Sequence, residues 1–303
     1  MFDLLTAIIN KVSSFKTEIE ELNFNSKKEF QEVTNLTHKC DIVILSSTQK
    51  EFDSLISIIQ EPSIIKLAND STIYYKGYIS GKNSNYSVVV PVPTDMGIAT
   101  AAIVTTKCIS VFSPSYIFMI GIAAGIKSFC KVGDVIIADK AINYNEVVEI
   151  ENPDETVRLK YMQNTISVPS HLKSRLYLFL KSDKIKEVSN HNALIKLGRE
   201  STFHFGMIVT GSGLIRNNQR ISQLTKDYHN IKGLDMETYG MYKAVEQSLK
   251  SNQPEFISIK SVSDFGDSKK HSEIESSEDR SNLALFTSIK TIELFIKSEY
   301  FEK

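Results

Sequence analysis

Three carboxylates stand where short apolar runs give way to a turn or a helix. Asp264, Glu51 and Glu237 each follow shortly after a run that is typical of a buried β-strand. A carboxylate can accept two hydrogen bonds from hydroxyl groups or exchange a proton with a bound molecule. Ligands in α/β proteins are usually bound at the carboxyl ends of the strands. Each carboxylate could instead stabilise a turn or a helix N-terminus, so position alone leaves both readings open.

Segments rich in small residues accompany these strand ends. Gly121–Gly125 follows another apolar run, and we expect a turn there, because glycine lets the backbone approach a ligand closely. Two more loops with glycine, around Asp95–Gly97 and Thr210–Arg216, are predicted on the same side of the fold. Lys260 interrupts the last apolar strand, and its side chain points either to solvent or into the site.

The composition excludes several classes of function. The chain has 303 residues with 42% hydrophobic and 23% charged residues and a net charge of −1, which gives no sign of a nucleic-acid or membrane surface. Cys40, Cys108 and Cys130 are too widely spaced for a disulfide framework or a metal cluster. We therefore expect a cytoplasmic protein with a small-molecule ligand, no metal and no cofactor.

The chain divides into two predicted parts. Residues 1–24 show an apolar heptad pattern of one amphipathic helix, and a polar linker runs on to residue 39. This helix packs either on its own domain or against a second copy of the chain. Residues 40–303 alternate predicted strands and helices and are long enough for one large α/β domain.

These stretches, in this order from Asp41 to the C-terminus, resemble the nucleoside phosphorylase/nucleosidase superfamily. The 5′-methylthioadenosine/S-adenosylhomocysteine nucleosidases are the branch that the chain resembles most. The resemblance implies a three-layer α/β/α fold with a mixed central sheet, to which the N-terminal helical extension is added. It also implies a homo-oligomer, in which the N-terminal helix is a candidate contact.

The resemblance assigns a role to each carboxylate. Asp264 would protonate or hydrogen-bond the purine N7 as the glycosidic bond breaks, and Ser263 would orient its carboxyl group. Glu51 would deprotonate the attacking water. Glu237 would hold the ribose 2′ and 3′ hydroxyl groups, and Met236 would pack against the sugar. An acid and a base on opposite faces of a sugar is the general logic of glycoside cleavage.

The resemblance also implies a pocket around the nucleoside. Together with Ser263, the loop after the strand 202–209 would form the base pocket, through Ser212, Gly213 and Leu214. Two other loops would line the site through Met96, Gly97, Gly121, Ala123 and Ala124. In the family an aromatic side chain stacks on the base, and here Leu214 takes that place.

The predicted activity is hydrolysis of a purine nucleoside or nucleotide, with adenine as the released base. One alternative is phosphorolysis, which the missing arginine of the first loop and the missing serine between Gly121 and Gly125 disfavour. The other is a catalytically idle nucleotide sensor, which the three retained carboxylates disfavour. The chain also resembles superfamily domains of antiviral defence, some of which attack ATP. Arg216, Lys269 and Lys270 would then contact the 5′-phosphates.

Overall fold

A mixed β-sheet organises the fold in the computed structural model, which describes residues 39–151, 157–213, 215, 217–266, 274 and 276–301. The strands are β1 (Ile42–Leu45), β2 (Gln60–Lys66), β3 (Ile73–Ser80), β4 (Asn85–Pro91), β5 (Tyr116–Gly125), β6 (Val135–Asn143), β7 (Val147–Glu151), β8 (Val157–Tyr161), β9 (Ile166–Ser167), β10 (Phe203–Thr210), β11 (Ile231–Asp235) and β12 (Glu255–Asp264). The helices are α1 (Gln49–Ile56), α2 (Ile98–Phe112), α3 (Ser170–Phe179), α4 (Asn192–Lys196), α5 (Asn218–Asp227), α6 (Thr238–Glu246) and α7 (Ser277–Ile296). Two short 3₁₀ helices cover Asp183–Asn190 and Lys250–Asn252.

The main sheet has the order β11-β10-β6-β12-β5-β1-β4-β3-β2. Its centre is parallel: β5 lies between β1 and β12, with Ile42 opposite Tyr116 and Phe256 opposite Ile117. β1 and β5 are buried and read as unbroken apolar runs, whereas Lys260 interrupts the apolar pattern of the equally buried β12. Because parallel strands end at one edge of a sheet, the residues that follow them are brought together there.

Helices cover both faces of this sheet. α7 packs on β12 and β5 and contacts α1, while α2 and α6 pack against each other and α6 lies on β6, β10 and β12. The predicted three-layer α/β/α fold with a mixed sheet is thereby confirmed. The predicted N-terminal helix of residues 1–24 lies outside the described residues. None of the helices in the described part of the chain could cross a membrane.

The predicted turn at Gly121–Gly125 is wrong, because these residues continue β5 to its end. β11 pairs parallel with β10 and also antiparallel with β5, where Gly233 faces Gly125 and Leu234 faces Ala124. The small residues serve close packing rather than a turn. A Cβ atom on Gly125 would lie 2.7 Å from a methyl carbon of Val262, and one on Gly233 would lie 2.6 Å from Ile136.

Three other local patterns in the sequence predict elements that the structure corrects. The pattern after the strand at Asp41–Leu45 predicts a helix over Gln49–Gln60, but α1 ends at Ile56 and the edge strand β2 begins at Gln60. The helix after Glu237 is predicted to run to about Leu249, but α6 ends at Glu246. The acidic composition of residues 146–155 predicts a solvated loop, yet β7 and β8 pair there as an antiparallel ribbon. Ordered pairing with a partner strand overrides the polar composition of this stretch.

Candidate active site

Glu51 lies in the first turn of α1, directly after β1. Thr48 is the N-cap, its side chain accepts from the Glu51 amide at 3.2 Å, and Glu51 Oε2 accepts in return from the Thr48 amide at 3.0 Å. This reciprocal capping explains why the helix begins here. Oε2 also accepts from the Ser47 amide at 2.7 Å, and Oε1 accepts from the Ile122 amide at 3.1 Å. Glu51 therefore caps a helix and also bridges β1 to β5, with 3% of its surface exposed.

Gly121 makes room for the Glu51 carboxylate. A Cβ atom built on Gly121 would lie 2.3 Å from Glu51 Oε1 and 3.1 Å from Lys260 Nζ. The φ angle of Gly121 is +143°, which side-chain-bearing residues rarely adopt. The close approach that glycine permits at this position is to the Glu51 carboxylate, whereas the sequence interpretation expects a ligand there.

Glu237 is held at the start of α6, beside the loop that precedes α2. Its Oε1 accepts from the Gly97 amide at 3.1 Å, and 7% of its surface is exposed. Burial raises the pKa of Glu237, and the nearby charges of Asp235 and Glu51 add to that rise against the opposing effect of Lys260. Met236 beside it is half-buried.

Asp235 is the last residue of β11, two residues before Glu237. Oδ1 accepts from Thr210 Oγ1 at 2.7 Å, and Oδ2 accepts from the Thr238 amide at 3.1 Å and from the Thr238 hydroxyl. Its side chain is 2% exposed. Asp235 therefore ties the end of β11 to β10 and to the start of α6.

Lys260 points into the site, which the sequence could not decide. Its side chain is 1% exposed, and Nζ lies 3.8 Å from Asp235 Oδ2 and 3.9 Å from Glu237 Oε2. Burial lowers the pKa of Lys260, but the charges of Glu51, Asp235 and Glu237 outweigh it, so the pKa is raised. The sequence reasoning left the direction of Lys260 open and gave it no role in the site. Its one signal was a lysine within an apolar strand.

Asp264 ends β12, one residue beyond an irregularity in its pairing with β5. Val262 faces Ala123 and Asp264 faces Ala124, so Ser263 is an extra residue that re-aims the strand end. Ser263 Oγ donates to Asp264 Oδ2 at 2.8 Å, as expected, and the Gly266 amide donates to Oδ1 at 2.8 Å. Ser263 is buried, whereas Asp264 is exposed.

The loop after β10 is held from two sides. Tyr144 donates its hydroxyl to the Gly213 carbonyl at 2.8 Å, and Asn145 Oδ1 accepts from the Ser212 amide at 2.9 Å. On the other side, a Cβ atom on Gly266 would lie 2.7 Å from the Ile215 carbonyl oxygen. The loop therefore lies against the turn that carries Asp264.

The predicted pocket residues that the structure describes differ in their exposure. Ala123 is buried, Ala124 and Gly97 are half-buried, and Ser212, Gly213 and Met96 are exposed, with Met96 at 54%. Leu214, Arg216, Lys269 and Lys270 lie outside the described residues. Within the described part, the structure gathers Glu51, Glu237 and Lys260, and it brings Asp264 to the same edge of the sheet through β5. This edge is the candidate active site.

The model of the phosphorylase superfamily matches residues 41–297. The chain therefore belongs to the phosphorylase superfamily, which confirms the resemblance identified from the sequence.

Curated relatives are similar over most of this chain. The 5′-methylthioadenosine/S-adenosylhomocysteine nucleosidase of Haemophilus influenzae is 24% identical over 75% of this chain and 87% of the relative. The uncharacterized protein y4jS of Sinorhizobium fredii is 26% identical over 85% of this chain, and the ATP nucleosidase Cap17 of Escherichia coli is 24% identical over 78%. The matches span 62% of y4jS and 48% of Cap17.

Solved structures agree on the fold. The nucleosidase of Neisseria meningitidis in complex with methylthio-immucillin-A aligns with a TM-score of 0.61 at 18% identity, over 85% of this chain and 98% of its own. The nucleosidase of Colwellia psychrerythraea in complex with adenine aligns with a TM-score of 0.63 at 17% identity, over 85% of this chain and 95% of its own.

Proposed function

We propose that this chain hydrolyses the N-glycosidic bond of a purine nucleoside or nucleotide and that adenine is the base released. One observation carries the proposal: Glu51 and Glu237 are buried around Lys260 at the sheet edge where Asp264 ends β12. Two of the curated relatives are named nucleosidases, which hydrolyse N-glycosyl bonds, so the prediction of an enzyme of this type is confirmed.

The three carboxylates supply what the reaction needs. Breaking the bond builds positive charge on the ribose and negative charge on the departing base. Asp264 gives a proton to the base, and Ser263 orients its carboxyl group. Glu51 takes a proton from the attacking water. Glu237 accepts hydrogen bonds from two ribose hydroxyl groups, because its two oxygens lie in one plane.

Lys260 supports this arrangement by its charge. The buried carboxylates of Glu51, Asp235 and Glu237 repel one another, and the buried cation of Lys260 reduces that repulsion. It also holds Glu237 on the side opposite to the Gly97 amide. We assign Lys260 a positioning role, because it acts through the carboxylates.

Hydrolysis fits the site better than phosphorolysis. Among the described residues, the N-terminus of α1 and the Ile122 amide, which could bind an anion, are already occupied by the Glu51 carboxylate. Ile122 and Ala123 offer no hydroxyl group to a phosphate ion. Water is therefore the proposed nucleophile.

A 5′-phosphorylated substrate is the finer part of the proposal. The similarity to Cap17, named an ATP nucleosidase, supports it, and so does the presence of Arg216, Lys269 and Lys270 in the sequence. A role in antiviral defence and assembly into a cytoplasmic homo-oligomer belong to the same proposal. A nucleotide sensor without activity is the competing function.

Chromatography of reaction products tests the proposal. Adenosine, methylthioadenosine, S-adenosylhomocysteine, AMP, ATP, inosine and uridine are incubated with the protein, each with and without phosphate. We expect free adenine without phosphate and a loss of about 10²–10⁴-fold in the Asp264→Asn variant. Cleavage only with phosphate would make the protein a phosphorylase, and no product from any substrate would favour the sensor.

A further inference from the structure

Arg220 lies in the first turn of α5, shortly after the loop of the proposed base pocket. Its guanidinium carbon lies 5.0 Å from the centre of the Tyr161 ring and 6.0 Å from the centre of the Tyr144 ring. Both distances are within the range of a cation–π interaction. The proposed reaction gives this arginine no role, so its contact with two aromatic rings needs a separate explanation.

The charge of Arg220 acts on these two rings. Within the described part of the chain, no carboxylate lies within ion-pair distance of its guanidinium group, and the residue is half-buried. Burial raises the pKa of Tyr144 and of Tyr161, and the positive charge of Arg220 opposes that rise at both. A cation that is partly removed from water gains more from an aromatic face than an exposed cation does.

Tyr144 connects Arg220 to residues 211–213, which we call the base loop. The Tyr144 hydroxyl donates to the Gly213 carbonyl at 2.8 Å. Its ring fills the space beside Gly211, where a Cβ atom would lie 1.9 Å from Tyr144 Cζ. Tyr144 is buried, so its ring has few alternative positions. A ring that Arg220 holds therefore supports the base loop at two points.

Tyr161 gives Arg220 a fixed support. Tyr161 is the last residue of β8 and is buried. Its ring packs on the Tyr228 ring with 5.6 Å between the centroids, and Tyr228 is the C-cap of α5. Arg220 and Tyr228 thus attach both ends of α5 to the same tyrosine. The position of Arg220 is therefore set by the end of β8 and not by solvent.

The first turn of α5 also contacts the turn of the proposed acid. A Cβ atom on Gly266 would lie 3.1 Å from Ile221 Cδ1, and the Gly266 amide donates to Asp264 Oδ1 at 2.8 Å. The Asn217 side chain caps this turn of α5 and accepts from the Arg220 amide at 3.1 Å. One helical turn therefore adjoins both the base loop and the residue that would give a proton to the base.

We propose that Arg220 is a positioning residue that fixes the base loop before substrate binds and thereby raises the affinity for the base. This inference rests on the proposed function. The Arg220 cation holds the Tyr144 ring, and the Tyr144 hydroxyl holds the Gly213 carbonyl, so the loop backbone keeps one arrangement towards the base edge. A preorganised loop loses less conformational entropy on binding. Arg220 takes no part in the bond-breaking step.

A comparison of Arg220→Met with Arg220→Lys tests the inference. Methionine keeps a long apolar side chain and removes the charge, whereas lysine keeps the charge. The substrate is whichever of adenosine, methylthioadenosine and ATP the wild type cleaves fastest. Arg220→Met should raise KM about two- to thirtyfold with a smaller change in kcat, because a cation–π contact is lost. Arg220→Lys should recover part of that loss. Calorimetry should show adenine binding weakened by a similar factor in Arg220→Met.

A double-mutant cycle with Tyr144→Phe tests the route to the base loop. Tyr144→Phe keeps the ring that Arg220 contacts but removes the hydrogen bond to the Gly213 carbonyl. If Arg220 acts through that hydrogen bond, Arg220→Met should raise KM much less in the Tyr144→Phe background than in the wild type. Non-additivity of this kind is the signature of two residues that act on one another.

Arg175→Met is the matched control. The Arg175 guanidinium group lies over the rings of Tyr116 and Phe301, at 6.0 Å and 5.5 Å from their centres. Tyr116 begins β5, at the opposite end of that strand from the candidate site. Arg175→Met should lower the melting temperature and leave KM unchanged, which separates a structural cation–π contact from one that positions the base loop.

The outcomes separate the two proposals. Base release with unchanged KM and unchanged adenine binding in Arg220→Met would overturn the role of Arg220 and leave the nucleosidase intact. Equal effects of Arg220→Met in the wild type and in Tyr144→Phe would overturn the route through Tyr144. Absence of base release by the wild type would overturn the proposed function and the role of Arg220 with it.

Discussion

Lys260 Nζ lies 3.9 Å from Glu237 Oε2, and this contact links the last strand of the sheet to the residue that follows β11. Asp235 approaches the same ammonium group at 3.8 Å. The buried Lys260 ammonium group thus lies close to the carboxylates of Asp235 and Glu237, which are distant from it in the sequence. Removing the lysine charge or a carboxylate charge leaves the opposite charge buried with less compensation. This costs more folding free energy than the loss of a surface ion pair.

Lys260→Met should destabilise the protein by about 3–5 kcal/mol, because it leaves buried carboxylates without their cation. The pKa of Lys260 is raised above its ordinary 10.5. Its contribution is therefore fully present below pH 10.5 and is lost as the pH rises through the folded-state value. Denaturant unfolding at neutral and strongly alkaline pH should show a difference that narrows on the alkaline side. Lys260→Arg keeps the charge and should retain more of the stability. Equal stability of Lys260→Met and wild type at neutral pH would contradict this account.

Glu237→Gln should lower kcat/KM by about 10- to 100-fold, because a neutral amide replaces the proposed charged acceptor for the ribose hydroxyl groups. Its stability relative to wild type should depend on pH. The pKa of Glu237 is raised above its ordinary 4.5, so the wild type loses stability as the pH rises from 4.5 through the folded-state value. The melting temperature of Glu237→Gln relative to wild type should therefore increase across that window. A constant difference from acid to neutral pH would refute this reasoning.

Gly121→Ala should abolish most activity, because its Cβ would lie 2.3 Å from Glu51 Oε1 and displace the proposed base. We expect at least a 10²-fold loss in kcat, which is the lower limit for general base catalysis. Gly198→Ala is the matched control: Gly198 also has a positive φ of +60°, but a Cβ there meets nothing within 4 Å. That control should cost about 1 kcal/mol in stability and leave kcat unchanged. Steady-state kinetics and thermal unfolding of both variants separate the contact from the backbone strain.

Tyr144→Phe should weaken the loop of the proposed base pocket without removing a group from the proposed reaction. It deletes the hydrogen bond to the Gly213 carbonyl but retains the ring that packs on Gly211. We expect KM for adenosine to rise about two- to tenfold with a smaller change in kcat, because the loop is less well ordered before substrate binds. Tyr86→Phe removes a similar hydrogen bond to the Phe301 carbonyl and should leave KM unchanged. If both variants change KM equally, the loop brace has no specific role.

The strand ends were predictable from the sequence because local patterns determine them. The apolar runs before Glu51 and Asp264 mark buried strands, and Thr48 with Glu51 forms a capping pattern that can be read directly. The direction of the Lys260 side chain depends on long-range strand pairing, since Lys260 pairs with Gly121 on the neighbouring strand β5. No local pattern contains that information.

The prediction of a turn at Gly121–Gly125 failed for a related reason. A run of small residues has the same appearance whether it turns or packs closely against a partner strand. The pairing of β11 with β5 decides between these possibilities, and the two strands are far apart in the sequence. The ribbon likewise forms because β7 pairs with β8, and the acidic composition of this stretch does not predict that pairing.

The closure of β11 onto both β10 and β5 has a consequence for how the site can move. Asp235 ends and Glu237 follows a strand that is hydrogen-bonded on two sides, and β5 also pairs with the strand that ends at Asp264. Opening the carboxylate cluster would therefore break several ladders at once, which places it in the slowest-exchanging part of the molecule. Exchange of the proposed substrate should then depend on the described loop residues Met96–Gly97 and Ser212–Gly213, which lie outside the strand ladders.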